Sequence, residues 1–203
     1  MEKRVLRIVP LLLLFACSYT QEVKAQTYSG SGRRPPSQLS ERQLTVLSEV
    51  VDMIPSSENR TEILALIMVE SNLTTTAVSR TGDYGIMQVN CRIWRDRLRT
   101  ELGIQNCEQE LMNPRTGIRA GVYVLNRFRR YRRCQGSNVY ACYNGGQSWR
   151  GRAERCQAAC QEDACRRRCW RPARYADSVR RHVRFLTRKY SDRIREVLQQ
   201  KKE

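Results

Sequence analysis

Apolar positions along the chain fall into groups separated by polar or turn-forming stretches, and all but one of the longer groups carry a helical period. The exception is the first. Ile8 to Cys17 is a continuous apolar run containing Leu11-Leu12-Leu13-Leu14-Phe15, preceded by Lys3, Arg4 and Arg7. It is shorter than the roughly 20 residues that a membrane span needs and has the layout of a secretory signal. From Leu44 to Ile54 the apolar residues at 44, 46, 47, 50, 51 and 54 predict a helix ended by Pro55-Ser56-Ser57. Asn59-Arg60-Thr61-Glu62 looks like a capping box opening a second helix to about Ser71, with Ile63, Leu64, Ile67 and Met68 on its buried face. Asn113-Pro114 starts a longer helix, 115–133, with Ile118, Gly121, Val122 and Leu125 on one side. Tyr140 to Tyr143 begins a further turn or helix ending at Asn144-Gly145-Gly146, and 174–198 reads as a final amphipathic helix. No strand alternation and no internal repeat stand out, so the expected fold class is mainly α. Gly121 in mid-helix costs about 1 kcal/mol relative to alanine and is expected to admit a neighbouring helix.

Composition changes the picture in two ways. The 203 residues carry 37 Lys and Arg against 20 Asp and Glu, a net charge of +17. Val23-Lys24-Ala25 offers a cleavage site, and removing residues 1–25 takes away four basic and two acidic groups, leaving +15. A charge this large fits a polyanionic environment, whether nucleic acid, an anionic membrane or an acidic wall polymer. The arginine runs 127–133, 166–168 and 180–184 read as solvated helix faces, so no nucleic-acid partner is expected. Secondly, after Cys17 eight cysteines remain, Cys91, Cys107, Cys134, Cys142, Cys156, Cys160, Cys165 and Cys169. An even number in an exported chain implies disulfides. With one histidine, His182, and no Cys-x2-Cys pair, a zinc site is the minor reading, and neither metal nor cofactor is expected. Leu14-Phe15-Ala16-Cys17 leaves a second possibility open, an outer-membrane lipid anchor at Cys17 in place of simple secretion to the periplasm or the exterior.

The organisation that follows is a signal peptide over 1–25, a flexible Ser-Gly-Pro-rich leader over 26–43, a main helical domain over 44–190 and a charged tail over 191–203. Within the domain, 147–172 is a cysteine-rich insertion. Cys156, Cys160, Cys165 and Cys169 are spaced so that two short helices could be stapled into a hairpin.

Glu70 is the candidate chemistry. It lies three residues after Ile67 and seven after Ile63, on or beside the apolar stripe of the second helix, where a carboxyl either frays into solvent or sits in an apolar wall that keeps it protonated. Downstream come Gly85-Ile86-Met87-Gln88-Val89-Asn90, then Asn113-Pro114 with Ile118-Arg119-Ala120-Gly121, then Tyr143-Asn144-Gly145-Gly146, and finally Tyr175 with Val179.

These segments, in this order after Glu70-Ser71, resemble the signature of the lysozyme-like soluble lytic transglycosylases over about residues 44–190. The resemblance implies an SLT-type helical domain acting on peptidoglycan. Glu70 would be acid and then base, closing a 1,6-anhydro ring without water. Ser71 and Tyr175 would position it, Gln88 and Asn144 would contact sugar, and Met87 and Tyr143 would line the cleft or pack in the core. Alanine is usual where Cys142 and Gly145 stand; Cys142 is expected in a disulfide, and Gly145 is expected to let a sugar approach. Two other readings stay open. Asp83-Tyr84-Gly85 resembles the segment bearing the second carboxylate of animal-type lysozymes, which would make the enzyme a hydrolase using Glu70 and Asp83, although thirteen residues leave little room for the sheet that presents such an aspartate. A non-catalytic cationic wall- or membrane-binding protein is the other. Wall remodelling, a secretion or conjugation apparatus and a phage apparatus would all employ such a domain.

Overall fold

A computed structural model describes residues 34–200; the signal segment and Cys17 lie outside them. Helix α1 spans Glu41–Val50 and continues into a 3-10 turn, Val51–Met53. It starts three residues before the apolar pattern does, because Ser40 and Gln43 form a reciprocal capping box: the Gln43 N–H donates to Ser40 Oγ (3.3 Å) and the Ser40 N–H to Gln43 Oε1 (3.0 Å).

Helix α2, Arg60–Ser71, is capped by Asn59 as the sequence suggested, with the Glu62 N–H donating to Asn59 Oδ1 (3.1 Å). Glu62 does not return the bond. Its carboxylate pairs instead with Arg129 (2.9 Å), which also holds Glu58 (2.8 Å). Nor is α2 amphipathic: Ile63 to Val69 are all at most 2% exposed. A helix apolar on every side is one surrounded by the fold, and α2 is the central element, packed chiefly against the last helix. Asn72, in the left-handed conformation (φ 53°), ends it.

The expectation of no strands fails at one place. β1 (Asp83–Tyr84) and β2 (Val89–Asn90) pair antiparallel, Asp83 opposite Asn90 and Tyr84 opposite Val89. Two residues per strand are too few for alternation to register in sequence. α3 (Cys91–Leu102) follows at once, capped by Asn90, and α4 (Cys107–Glu110) is tied to it by the Cys91–Cys107 disulfide.

Helix α5, Pro114–Arg129, begins with Asn113 as cap and proline in its first turn. Gly121 admits no helix: a Cβ there would overlap Met87, with its own Cβ at 2.6 Å and the methyl at 2.8 Å, so the glycine seats the loop before β2. Gly121→Ala is expected to cost about 1–3 kcal/mol through overpacking, read as a fall in thermal midpoint of about 2–4 °C per kcal/mol.

α6 (Asn138–Gly145) is held by Cys134–Cys142, the expected use of Cys142. α7 (Trp149–Ala159) and α8 (Asp163–Cys169) form the hairpin, stapled by Cys156–Cys169 and Cys160–Cys165. All eight cysteines after Cys17 are thus paired in disulfides. Finally α9 runs thirty residues, Arg171–Gln200, burying Tyr175, Val179, His182, Leu186 and Tyr190 against α2 and α6. Two boundaries move. The segment read as a charged tail from 191 carries α9 through Gln200, with Ile194 and Val197 buried. The end of the leader is docked on that helix as well, since the buried Leu39 donates its N–H to Tyr190 Oη (2.8 Å) and Lys189 donates to the Ser37 carbonyl (2.6 Å).

Candidate active site

Where α2 ends, the β1–β2 hairpin, the first turn of α3, the end of α6 and the start of α9 enclose a cleft of about 560 Å³. Glu70, Asp83, Gln88, Tyr143 and Asn144 all face it, so one cavity gathers residues spread over 75 positions of sequence.

Glu70 is the next-to-last residue of α2 and is half-buried, its backbone in the core and its carboxyl opening on the cleft. Tyr175, in the second turn of α9 and fully buried, donates its hydroxyl to Glu70 Oε1 at 2.6 Å. Burial pushes the Glu70 pKa up to about 8. The Tyr175 hydrogen bond pulls the other way, the Asp83 charge adds to the rise, and Arg171 offsets part of it. At neutral pH this carboxyl is mostly protonated. The hydroxyls of Tyr143 and Tyr175 are held well above the ordinary tyrosine range, by burial first and then by the Glu70 charge, so both remain donors.

The other expected residues divide. Tyr143 lines the cleft and fixes its edge by donating to the Met87 carbonyl (2.9 Å). Met87 itself is fully buried on Gly121 and belongs to the core. Asn144 faces the cleft. Ser71 is buried, and its hydroxyl donates to the Ile67 carbonyl one turn back (3.2 Å), so it supports its own helix; among the described residues Glu70 takes its hydrogen bond from Tyr175. Gln88 lies in the left-handed region (φ 49°), a conformation costly for a side-chain-bearing residue. That twist lets its amide nitrogen donate to the Ala77 and Gly85 carbonyls, both at 2.9 Å, so it holds the loop while lining the cleft. Gly145 is small for a reason other than sugar access: a Cβ there would lie 2.6 Å from Pro172 and 2.8 Å from the Trp149 Cβ.

Asp83 reaches the cleft from β1, since two residues of strand suffice to present it. Its Oδ2 accepts from Ser79 Oγ and Thr81 Oγ1 (2.6 Å each) and its Oδ1 from Asn90 Nδ2 (2.7 Å). A carboxylate so supplied with donors is a fixed negative charge with little lone-pair capacity to spare.

Sequence reading missed Trp94, Ile93, Arg152 and Arg171 on the walls. Trp94 is braced edge-on by Phe128 (5.8 Å) and Tyr123 (6.4 Å), and beside it Ile93 is 66% exposed. The signal available was faint: an apolar pair just after the Asn90 cap, on a helix with no catalytic motif. Arg171-Pro172 could have been found as a helix start four residues before Tyr175.

Residues 55–164, more than half of the chain, match the family described as Transglycosylase SLT domain. No curated protein and no solved structure matches. The match takes in Glu70, both hairpin strands and Asn144 and stops short of α9, whose Tyr175 nevertheless reaches the carboxyl at the centre of the cleft. By this match, and by a helical lysozyme-like domain built around one deep carboxyl, the chain belongs to the transglycosylase SLT-domain family of peptidoglycan-cleaving enzymes.

Proposed function

We propose that the protein is a lytic transglycosylase that breaks the β-1,4 bond between N-acetylmuramic acid and N-acetylglucosamine with Glu70 as the sole proton-transfer group. The carrying observation is a carboxyl kept protonated near neutrality by burial while hydrogen-bonded to a buried tyrosine. Protonated Glu70 gives its proton to the glycosidic oxygen as the bond from C1 breaks, and the glucosamine leaves as the alcohol. The resulting carboxylate then takes the proton of the muramic 6-hydroxyl as that oxygen bonds C1, closing the 1,6-anhydro ring and restoring neutral Glu70. No water and no cofactor enters the balance. Tyr175 supports the short-lived carboxylate, and the fixed charge of Asp83 favours positive charge developing on the ring. Asn144 and Gln88 supply polar contacts, and Trp94 with Ile93 an apolar wall for sugar faces.

A second reading has a specific observation behind it. Asp83 shares the cleft and its charge acts on Glu70, so it could serve a hydrolase as nucleophile or electrostatic partner. Asp83→Asn separates the two in assays on purified glycan strands. The transglycosylase keeps activity within about tenfold, because only a supporting charge is lost; a hydrolase relying on Asp83 falls by about 10²–10⁴-fold, the usual worth of a proton-transferring or nucleophilic carboxyl. We also propose that the chain is exported, to the periplasm or beyond. The positive start and apolar run of residues 1–17 and the four disulfides support this together.

A further inference from the structure

Across the 145–152 segment from the cleft lies a second, slightly larger depression of about 630 Å³, within the usual range of ligand pockets. Four guanidiniums line it: Arg132, Arg133, Arg150 and Arg155, with Glu154 the one acid, a net charge of three positives. Among the described residues none of the four takes part in an ion pair, in contrast to Arg129, Arg166 and Arg180 nearby, which have carboxylate partners. Arg150 lies over the Trp149 ring (5.5 Å).

The frame fixes the backbone that carries these exposed charges. Arg132 and Arg133 belong to a 3-10 turn, Arg132–Cys134, pinned by Cys134–Cys142; Arg150 and Arg155 stand on α7, whose far end is stapled to α8. The same wall includes the start of α7 itself. No side chain caps that eleven-residue helix at Ser148 and its first turn holds no acid, so although the Trp149 N–H is taken by the Gly146 carbonyl (3.1 Å) the positive end of the helix adds to the field. Like charges concentrated this way are unfavourable until an anion enters. A single carboxylate would leave two charges uncompensated. A phosphoryl group, by contrast, brings up to two negative charges and oxygens that suit guanidinium forks.

We propose that this depression is an anion site for a diphosphate or for two neighbouring phosphates, distinct from the catalytic cleft and built by the cysteine hairpin. Such phosphates occur on soluble diphosphate compounds and on phosphorylated lipid headgroups, and the chemistry of recognition is the same. Occupancy would hold the enzyme beside a phosphate-rich surface or signal while the cleft stays open. It does not depend on which bond Glu70 breaks.

Calorimetric titration of the full mature chain with inorganic pyrophosphate tests it, at low salt and again at about 0.15 M. One saturable site is expected. Arg150→Gln with Arg155→Gln should weaken it at least tenfold, while the charge-matched Arg167→Gln with Arg168→Gln, on the exposed face of α8, should change it less than twofold. Both double variants should keep the thermal midpoint and the rate on glycan strands. Cosedimentation with vesicles bearing a bisphosphorylated headgroup identifies the source. Vesicle binding with the same variant dependence assigns the site to a membrane surface, and pyrophosphate binding without it assigns a soluble ligand. Absence of saturable binding to either probe, or equal loss in the two double variants, would overturn the proposal.

Discussion

Glu70→Gln should reduce cleavage of purified glycan strands by at least about 10³-fold while leaving the fold intact. The amide is isosteric and can still accept the Tyr175 hydroxyl, so the cleft keeps its shape and its affinity for the strand. What it loses is the transferable proton, and with it both halves of the cycle, since the same carboxyl first donates and then receives. No neighbouring group can substitute. Asp83 is engaged by three donors, and Tyr143 and Tyr175 are held far too basic to deliver a proton at neutral pH. Turnover of soluble glycan followed by chromatography, with circular dichroism as the control, checks this. A variant that still cleaves within tenfold of the parent would place the acid elsewhere.

The same substitution should stabilise the protein in alkaline solution. The unfolded chain releases the Glu70 proton near the ordinary value of 4.5, whereas the folded chain holds it to about 8. Between those two pH values the folded state binds more protons, so stability falls as pH rises through the window and levels off above it. At about 1.4 kcal/mol for each pH unit of displacement, the penalty approaches 4 kcal/mol at pH 8–9, partial relaxation of the half-buried site included. Glu70→Gln carries no such penalty. Its unfolding free energy should match the parent near pH 4 and exceed it by about 2–4 kcal/mol at pH 8.5, measured by denaturant titration at the two pH values. An enzyme that is less stable than its inactive variant at working pH is the expected signature of an acid held neutral by burial.

Much of this site could be read from the chain because its chemistry coincides with punctuation. Asn59 and Asn113 are caps, and each fixes where a motif-bearing helix starts. Glu70 is placed by the spacing of Ile63 and Ile67. The family motifs then order the hairpin, α5 and α6 around it. Less was legible where a residue's purpose depends on a partner distant in sequence. Gly121 and Gly145 announce a need for small size without saying that Met87 and Pro172 fill the space. Met87 reads as cleft or core with equal ease until its contact with Gly121 is known. Ser71 looks like a helper of its neighbour, and only the helix geometry shows its hydroxyl turned back to Ile67. The charged stretch after residue 190 hides a helix because its buried positions, Ile194 and Val197, are sparse among polar ones. Asp83 shows the opposite error: counting residues argued against a sheet, yet a two-residue strand presents the carboxylate all the same.

Because Asp83 reaches the cleft, the fate of water is the decisive question. Digestion of purified peptidoglycan in ¹⁸O-water, with mass analysis of the released muropeptides, addresses it directly. Glu70 acting alone through the muramic 6-hydroxyl predicts 1,6-anhydro ends that carry no ¹⁸O. Reducing ends labelled at C1 would contradict this and make the enzyme a hydrolase drawing on both carboxyls.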